Sequence, residues 1–255
     1  MNPATAVDDF PVTRSTINEL DGWLHRLAAP ILPARQVQRG ERFRWEFREK
    51  SAYVLTIAKA VRMVSGIRAA MLLVDNGFVT ESACLLRIVS DLALEIVAVA
   101  EGELRGEPTE AQRAFVAAFF ARKYASGEVS LQQEKKRYVS REELMKTHVR
   151  LAKTAGVDGE QLRNMMRTLV GVYDGYVHGA YSTAMELYHG GRHEFMLRGH
   201  EGLEQRVVYH RAVAGKLHEV MQSLVMISHI AGDEGLFSDI VRELNRLQQS
   251  KESTG

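Results

Sequence analysis

Apolar residues recur at helical spacing along most of this chain. From Tyr53 to Val74, the positions Tyr53, Ile57, Val61, Val64, Ile67 and Met71 advance by three or four residues, the period that lines up one face of an α-helix. Asp75-Asn76-Gly77 supplies a stop and a turn. Thr80 stands where it can cap a second helix, which runs to about Ala100 with Leu85, Ile88, Leu92 and Ile96 inward. So short a joint predicts an antiparallel helical hairpin. Upstream, Thr16-x-x-Glu19 has the form of a capping box for a short helix carrying Ile17, Leu20, Trp23, Leu24 and Leu27, ended by Pro30 and Pro33. Downstream, Pro108 lies in a polar linker before a helix with Phe115, Phe119 and Phe120. Ser126 to Arg137 is mostly polar and reads as a mobile stretch. Ser140-x-x-Glu143 opens another helix that Gly156 closes, and Leu203 to Ile230 and Leu236 to Leu247 are again periodic.

Two stretches break the pattern. Between Glu186 and Gly199 helical spacing is lost, and Gly190-Gly191, flanked by Leu187, Tyr188, Phe195 and Leu197, predicts a small β-hairpin over 186–199. Residues 35–50 interleave Phe43, Trp45 and Phe47 with Arg42, Arg44, Glu46, Arg48, Glu49 and Lys50. Basic and aromatic residues together can serve nucleic acid. The acids offset part of the charge, and the favoured reading is a solvated helix with a few core aromatics. The expected fold is all-α: one bundle of about seven or eight helices over 13–249, with a flexible leader at 1–12 and a disordered tail at 250–255.

The densest chemistry lies in the helix expected from Gly159 to about Leu187, with Leu162, Met166, Leu169, Tyr173, Tyr176 or Val177, Ala180 and Ala184 on its core stripe. Gly171, Gly175 and Gly179 recur every fourth residue there. Interior glycines cost a helix roughly 1 kcal/mol each, so either a second backbone packs into a glycine groove or one of them ends the helix. Arg167, Asp174, His178 and Tyr181 project within about one quadrant beside that groove. Asp174 and His178, four apart, are placed to touch, the carboxylate orienting the imidazole as an acid/base or phosphate-binding pair. The plainer reading is that His178 and Tyr181 satisfy hydrogen bonds at a helix crossing. On the earlier hairpin, Arg87, Asp91 and Glu95 step by four, forming either a surface ion-pair ladder or a partly buried Arg87 that faces the core or a ligand.

Composition narrows the classes. Hydrophobic residues make up 45% and charged residues 25%, values that argue against wholesale disorder. A net charge of +1 gives no global attraction to polyanions, so only a local patch can bind one. The single cysteine, Cys84, cannot form an internal disulfide and fits a reducing cytoplasm. No apolar run is long enough to span a membrane, and a cytoplasmic location with no membrane partner is expected. Seven of the nine histidines lie between 178 and 229, with His189, His193 and His200 around the small hairpin, but no cysteine or acid completes a zinc set. His210, on an apolar stripe, reads as a core histidine. No metal or other cofactor is expected. Phosphate-binding glycine loops and nucleophile elbows are absent.

Leu72-Leu73-x3-Gly77-x5-Ala83-x3-Arg87-x3-Asp91, followed by Tyr173-x2-Tyr176-Val177-His178-Gly179 and a small hairpin, resembles helical proteins of the HEPN-like type over about residues 50–230. The resemblance implies a helical bundle, a homodimer, and in some members metal-independent RNA cleavage in defence or toxin systems, by an arginine four to six residues before a histidine. The positions at that offset from His178 are Gly171, Val172 and Tyr173, so the pattern is not met there. Arg141-x6-His148 and Arg211-x6-His218 do fit, although nine histidines and three offsets produce roughly two or three such pairs by chance. The expectation is a ligand-, nucleotide- or RNA-binding site with His178, Arg87 and Asp174 as the reactive group and Arg167, Tyr176, Tyr181 and Asp91 as binding residues. A metal-independent ribonuclease and a non-catalytic interaction module are the alternatives.

Overall fold

The computed structural model describes residues 11–39, 42–121, 140–154, 156–200 and 202–252. Most of the expected leader, the polar stretch 126–137 and the last three tail residues lie outside them. Among the described residues nine helices run in the order α1 (Pro11–Ala28), α2 (Ala52–Asp75), α3 (Val79–Leu104), α4 (Glu110–Ala121), α5 (Arg141–Thr154), α6 (Gly159–Val177), α7 (Tyr181–Met185), α8 (Leu203–Ile230) and α9 (Glu234–Glu252). Two antiparallel hairpins interrupt them: β1 (Arg35–Arg39) with β2 (Arg42–Glu46), and β3 (Tyr188–His189) with β4 (Glu194–Phe195). The protein is all-α with a small β-hairpin where the loss of helical period placed one.

The core is built where the periodicity is strongest. α2 and α3 pack along each other, and α8 lies against both. Leu55, Ile57, Met63, Ile67, Leu86, Ile96, Leu217, Met221, Leu224 and Ile227 are fully buried there. A leucine- or isoleucine-sized side chain stabilises by about 1.5–3 kcal/mol on full burial, so this three-helix contact is the anchor on which the outer helices rest. Val61 and Ile88, expected inward, are exposed, because α2 and α3 bury more than one face each and solvent falls on edges that a single stripe does not identify.

The α2–α3 turn forms as its residues dictate. Gly77 takes a left-handed φ of 82°, and its carbonyl accepts a 2.7 Å hydrogen bond from the His200 N–H. A Cβ on Gly77 would lie 2.5 Å from the His200 carbonyl oxygen. Three local expectations need correcting. Thr16 is inside α1, which starts at Pro11; its hydroxyl bonds the Val12 carbonyl and Glu243 of α9 instead of capping. α3 begins at Val79 with no side-chain cap, and Thr80 bonds Glu81. Arg35–Arg39 and Arg42–Glu46 form paired antiparallel strands and not a helix, with Phe43 and Trp45 outside the core. At Ser140 the cap does form, its hydroxyl accepting from the Glu143 N–H at 3.1 Å, and Gly156 closes α5 with φ 75°.

The glycine stretch ends a helix. His178 is the C-cap of α6, Gly179 takes φ 61°, and the Ala180 N–H reaches back to the Gly175 carbonyl at 2.8 Å, the hydrogen bond of a Schellman stop. No packing groove forms: Gly171 and Gly179 have no atom within 4 Å of an added Cβ, and Gly175 meets only Thr183 and Ala180. The expected core stripe therefore fails at Leu169 and again beyond Tyr173, leaving Leu169, Val177, Ala180 and Ala184 exposed. On the same helix Met165, Leu169 and Val172 form an exposed apolar edge.

Candidate functional site

α6 is held to the core by charge. Arg87, on α3 and mostly buried, extends its Nε to Asp174 on α6 at 2.8 Å and its Nη1 to Asp91 one turn along its own helix. Asp91 in turn receives Arg141 from the first turn of α5. The line Asp174–Arg87–Asp91–Arg141 thus ties three helices with alternating charge. Both readings of Arg87 hold in part: it is partly buried and it pairs with Asp91 four residues on, while Glu95 leaves the ladder to pair with Lys59 of α2 at 2.5 Å. Burial pulls the Arg87 guanidinium down, but hydrogen bonds and charge from Asp91 and Asp174 outweigh it and hold it above its ordinary value. Arg141 is lowered, first by burial and further by the like charge of Arg87, against the pull of Asp91.

Behind this rim lies a cavity of about 210 Å³ between α3, α5, α6 and α8. Its lining mixes apolar residues, among them Leu94, Val97, Leu162, Met166 and Leu169, with the polar side chains of Arg87, Ser90, Arg141, His148, Lys216 and Glu219. Lys216 and Glu219 stand one turn apart on α8 and pair at 2.5 Å, and the Ser90 hydroxyl donates to Glu219 at 3.1 Å. The Lys216 ammonium also lies 5.3 Å from the centre of the Tyr173 ring, a cation–π contact. Burial, with Glu219 and Tyr176 nearby, pushes the Tyr173 phenol up to about 12, so it keeps its proton and can donate.

His148 is the one neutral imidazole among these groups. Its ring bonds the Leu94 backbone, and its Nε2 is buried with no hydrogen-bond partner. Burial holds its pKa below the ordinary value, against the opposing effects of the Leu94 bond and Glu219. A neutral ring that donates to a carbonyl through one nitrogen leaves the other as an acceptor or base. An unsatisfied buried group of this kind costs roughly 1–3 kcal/mol, and a ligand able to donate would recover that cost.

The residues expected from sequence divide between this cavity and other places. Arg87 lines it, and Asp91 and Asp174 do not, but they pair with Arg87, and Asp91 also with the lining Arg141. His178 does not line it: His178 is exposed at the end of α6, its backbone N–H bonds the Asp174 carbonyl, and its side chain does not meet the Asp174 carboxylate, which faces Arg87. The Asp174–His178 pair is therefore corrected to Asp174–Arg87, because the helix stops at His178. Arg167 pairs with Glu142 of α5 at 3.0 Å on the surface. Tyr181 is 81% exposed. Tyr176 joins a separate cluster, bonding Glu186 at 2.8 Å and accepting from the Tyr209 hydroxyl at 2.8 Å. His210 is a buried histidine, 3.3 Å from Asp75. Among the described residues no three of His, Cys, Asp and Glu come together to hold a metal ion, and no helix is long and apolar enough to cross a membrane.

Arg141, His148, Lys216 and Glu219 are charged or titratable lining residues that sequence reading did not place in the site. Two signals pointed to them: the Arg141-x6-His148 spacing, and a lysine and a glutamate set between Leu217, Val220 and Met221 of a buried helix. The chain matches no protein-family model, no curated protein and no solved structure.

Proposed function

We propose that the protein binds a small amphipathic molecule in the α3/α5/α6/α8 cavity, with a hydrogen-bond donor on the ligand directed to His148. The observation that carries this reading is the unpartnered, buried Nε2 of a histidine whose side chain is part of the wall of a cavity lined by both apolar and polar residues. Ligand sites of this kind combine an apolar wall with a few convergent polar groups. The volume suits a fragment-sized molecule. Charge favours a neutral or singly anionic ligand: Arg87, Arg141 and Lys216 are balanced by Asp91, Asp174 and Glu219, which leaves little attraction for a polyphosphate at this point. Calorimetric titration with 4-hydroxyphenylacetate, which carries an aromatic ring, a hydroxyl donor and one carboxylate, tests the reading. Wild type should bind, His148→Ala should bind at least fivefold more weakly, and Met166→Trp, which fills the cavity, should not bind. Equal binding by all three would refute it.

A second reading rests on Arg141 and His148, the pair at the spacing used by HEPN-like ribonucleases, which line the cavity together beside Arg87. A neutral His148 suits a general base, and Arg141 or Arg87 a phosphate clamp. RNA incubated in chelator with wild type, His148→Ala and His178→Ala separates the cases: loss of cleavage in His148→Ala alone supports it, and no cleavage by wild type removes it. The homodimer implied by the resemblance belongs to this second reading and is checked by light scattering.

A further inference from the structure

The β1–β2 hairpin is absorbed neither by the core nor by the cavity. Its register pairs Gln36 with Trp45, Gln38 with Phe43, Val37 with Arg44 and Arg39 with Arg42. Strand residues alternate between faces, so Gln36, Gln38, Phe43 and Trp45 share one face. Arg35, Arg39, Arg42 and Arg44 occupy register positions of the other, together with Val37 and with Glu46 opposite Arg35. Trp45 is 70% exposed and Phe43 63%, and Phe47, next in the alternation, is also exposed. A core would cover such rings, yet these stand on a two-stranded ribbon with solvent against them. Residues 35–50 hold six cations (Arg35, Arg39, Arg42, Arg44, Arg48, Lys50) against three carboxylates (Glu41, Glu46, Glu49), in a chain whose net charge is only +1. Positive charge is therefore concentrated on the hairpin that carries the aromatics, at register positions of its opposite face.

We propose that this hairpin is a binding arm for single-stranded nucleic acid. Bases stack on Trp45 and Phe43, and their edges lie within the amide chemistry of Gln36 on the same face, whose donor and acceptor suit base edges. The sugar-phosphate backbone is drawn by the arginines, whose planar forks match phosphate oxygens. Exposed aromatic rings flanked by cations are the combination that binds unpaired strands with little sequence preference. An anionic membrane surface would also attract arginine with tryptophan, but the amide side chains beside the rings would then be pressed into an apolar layer, at a cost that a base edge does not impose. The site is independent of the cavity, and neither reading rests on the other.

The test is fluorescence anisotropy of labelled twelve-nucleotide oligo(U) and oligo(dT) with the full chain. Binding is expected at 50 mM salt and should weaken roughly 20- to 50-fold at 200 mM, as three or four phosphate contacts to a single strand require. Trp45→Ala should weaken binding roughly 10- to 100-fold, the loss of one stacked base, with the melting temperature unchanged because the ring is exposed. Trp45→Phe should retain most of the affinity. Comparable affinity for both oligomers assigns backbone and stacking recognition, and preference for oligo(U) assigns RNA. No binding to either oligomer at 50 mM salt, equal binding by Trp45→Ala, or binding to phosphatidylserine vesicles without binding to oligonucleotides would each overturn the proposal.

Discussion

Replacing Asp91 with alanine removes the carboxylate that Arg87 and Arg141 share, and with it the middle of the charge line joining α3, α5 and α6. Two charge-assisted contacts are lost. Hydrogen bonds to charged groups contribute about 1.5–3 kcal/mol each, but Asp91 is 42% exposed and solvent screens much of that. Arg87 also keeps Asp174 at 2.8 Å. Against this, Arg141 loses its carboxylate partner while remaining near Arg87, so like-charge repulsion is no longer offset. The expected net cost is about 1–2 kcal/mol, or about 3–6 °C in melting temperature for a chain of this size. The loss should be local in origin: hydrogen exchange should rise in α5 and α6 before α2, α3 and α8, which keep their apolar contacts. A double-mutant cycle of Asp91→Ala with Arg141→Ala should give a coupling of about 1 kcal/mol that shrinks at 1 M salt. A melting shift below 1 °C together with no measurable coupling would refute the view that this line of charges fastens the outer helices.

Two glycines should respond in opposite directions. Gly77→Ala places a Cβ against the His200 backbone at a left-handed φ, and should cost more than about 2 kcal/mol in denaturant unfolding. Gly171→Ala, in open space inside a helix, should raise stability by about 0.5–1 kcal/mol; a loss would restore the glycine-groove reading. Stability should also fall on acidification because burial holds His148 below its unfolded value of 6.5. The unfolded chain then takes up the proton first, so this contribution is complete above about pH 6.5 and is lost as pH drops through the lower folded pKa. Burial lowers His200 in the same direction, so the His148 share is the difference between wild type and His148→Asn; identical pH slopes for the two proteins would contradict it.

What the sequence made legible follows from where physical chemistry is local. The periodic apolar runs of α2, α3 and α8 and the stops at Gly77 and Gly156 depend on neighbours three or four residues away, and they were readable. The partial burial of Arg87 was readable too, from a charge set among apolar neighbours. The site's remaining members come from α5 and α8, and no local pattern shows that Arg141 and His148 on one helix meet Lys216 and Glu219 on the other. His178 drew attention through its glycine and tyrosine neighbours, which instead stop a helix: Gly179 at φ 61° turns the chain so that His178 faces solvent. At Arg42–Glu46 the alternation of aromatic and charged residues has the period of a strand, which composition alone does not separate from a solvated helix, and the exposure of Trp45 and Phe43 follows from that period.

The cavity account is tested most directly by nitrogen-15 NMR of histidine-labelled protein titrated with 4-hydroxyphenylacetate. A ligand donating to the unpartnered Nε2 should shift the His148 ring resonance saturably and leave exposed His178 in place. A saturable shift at His178 with His148 unmoved, or no shift at either ring, would contradict it.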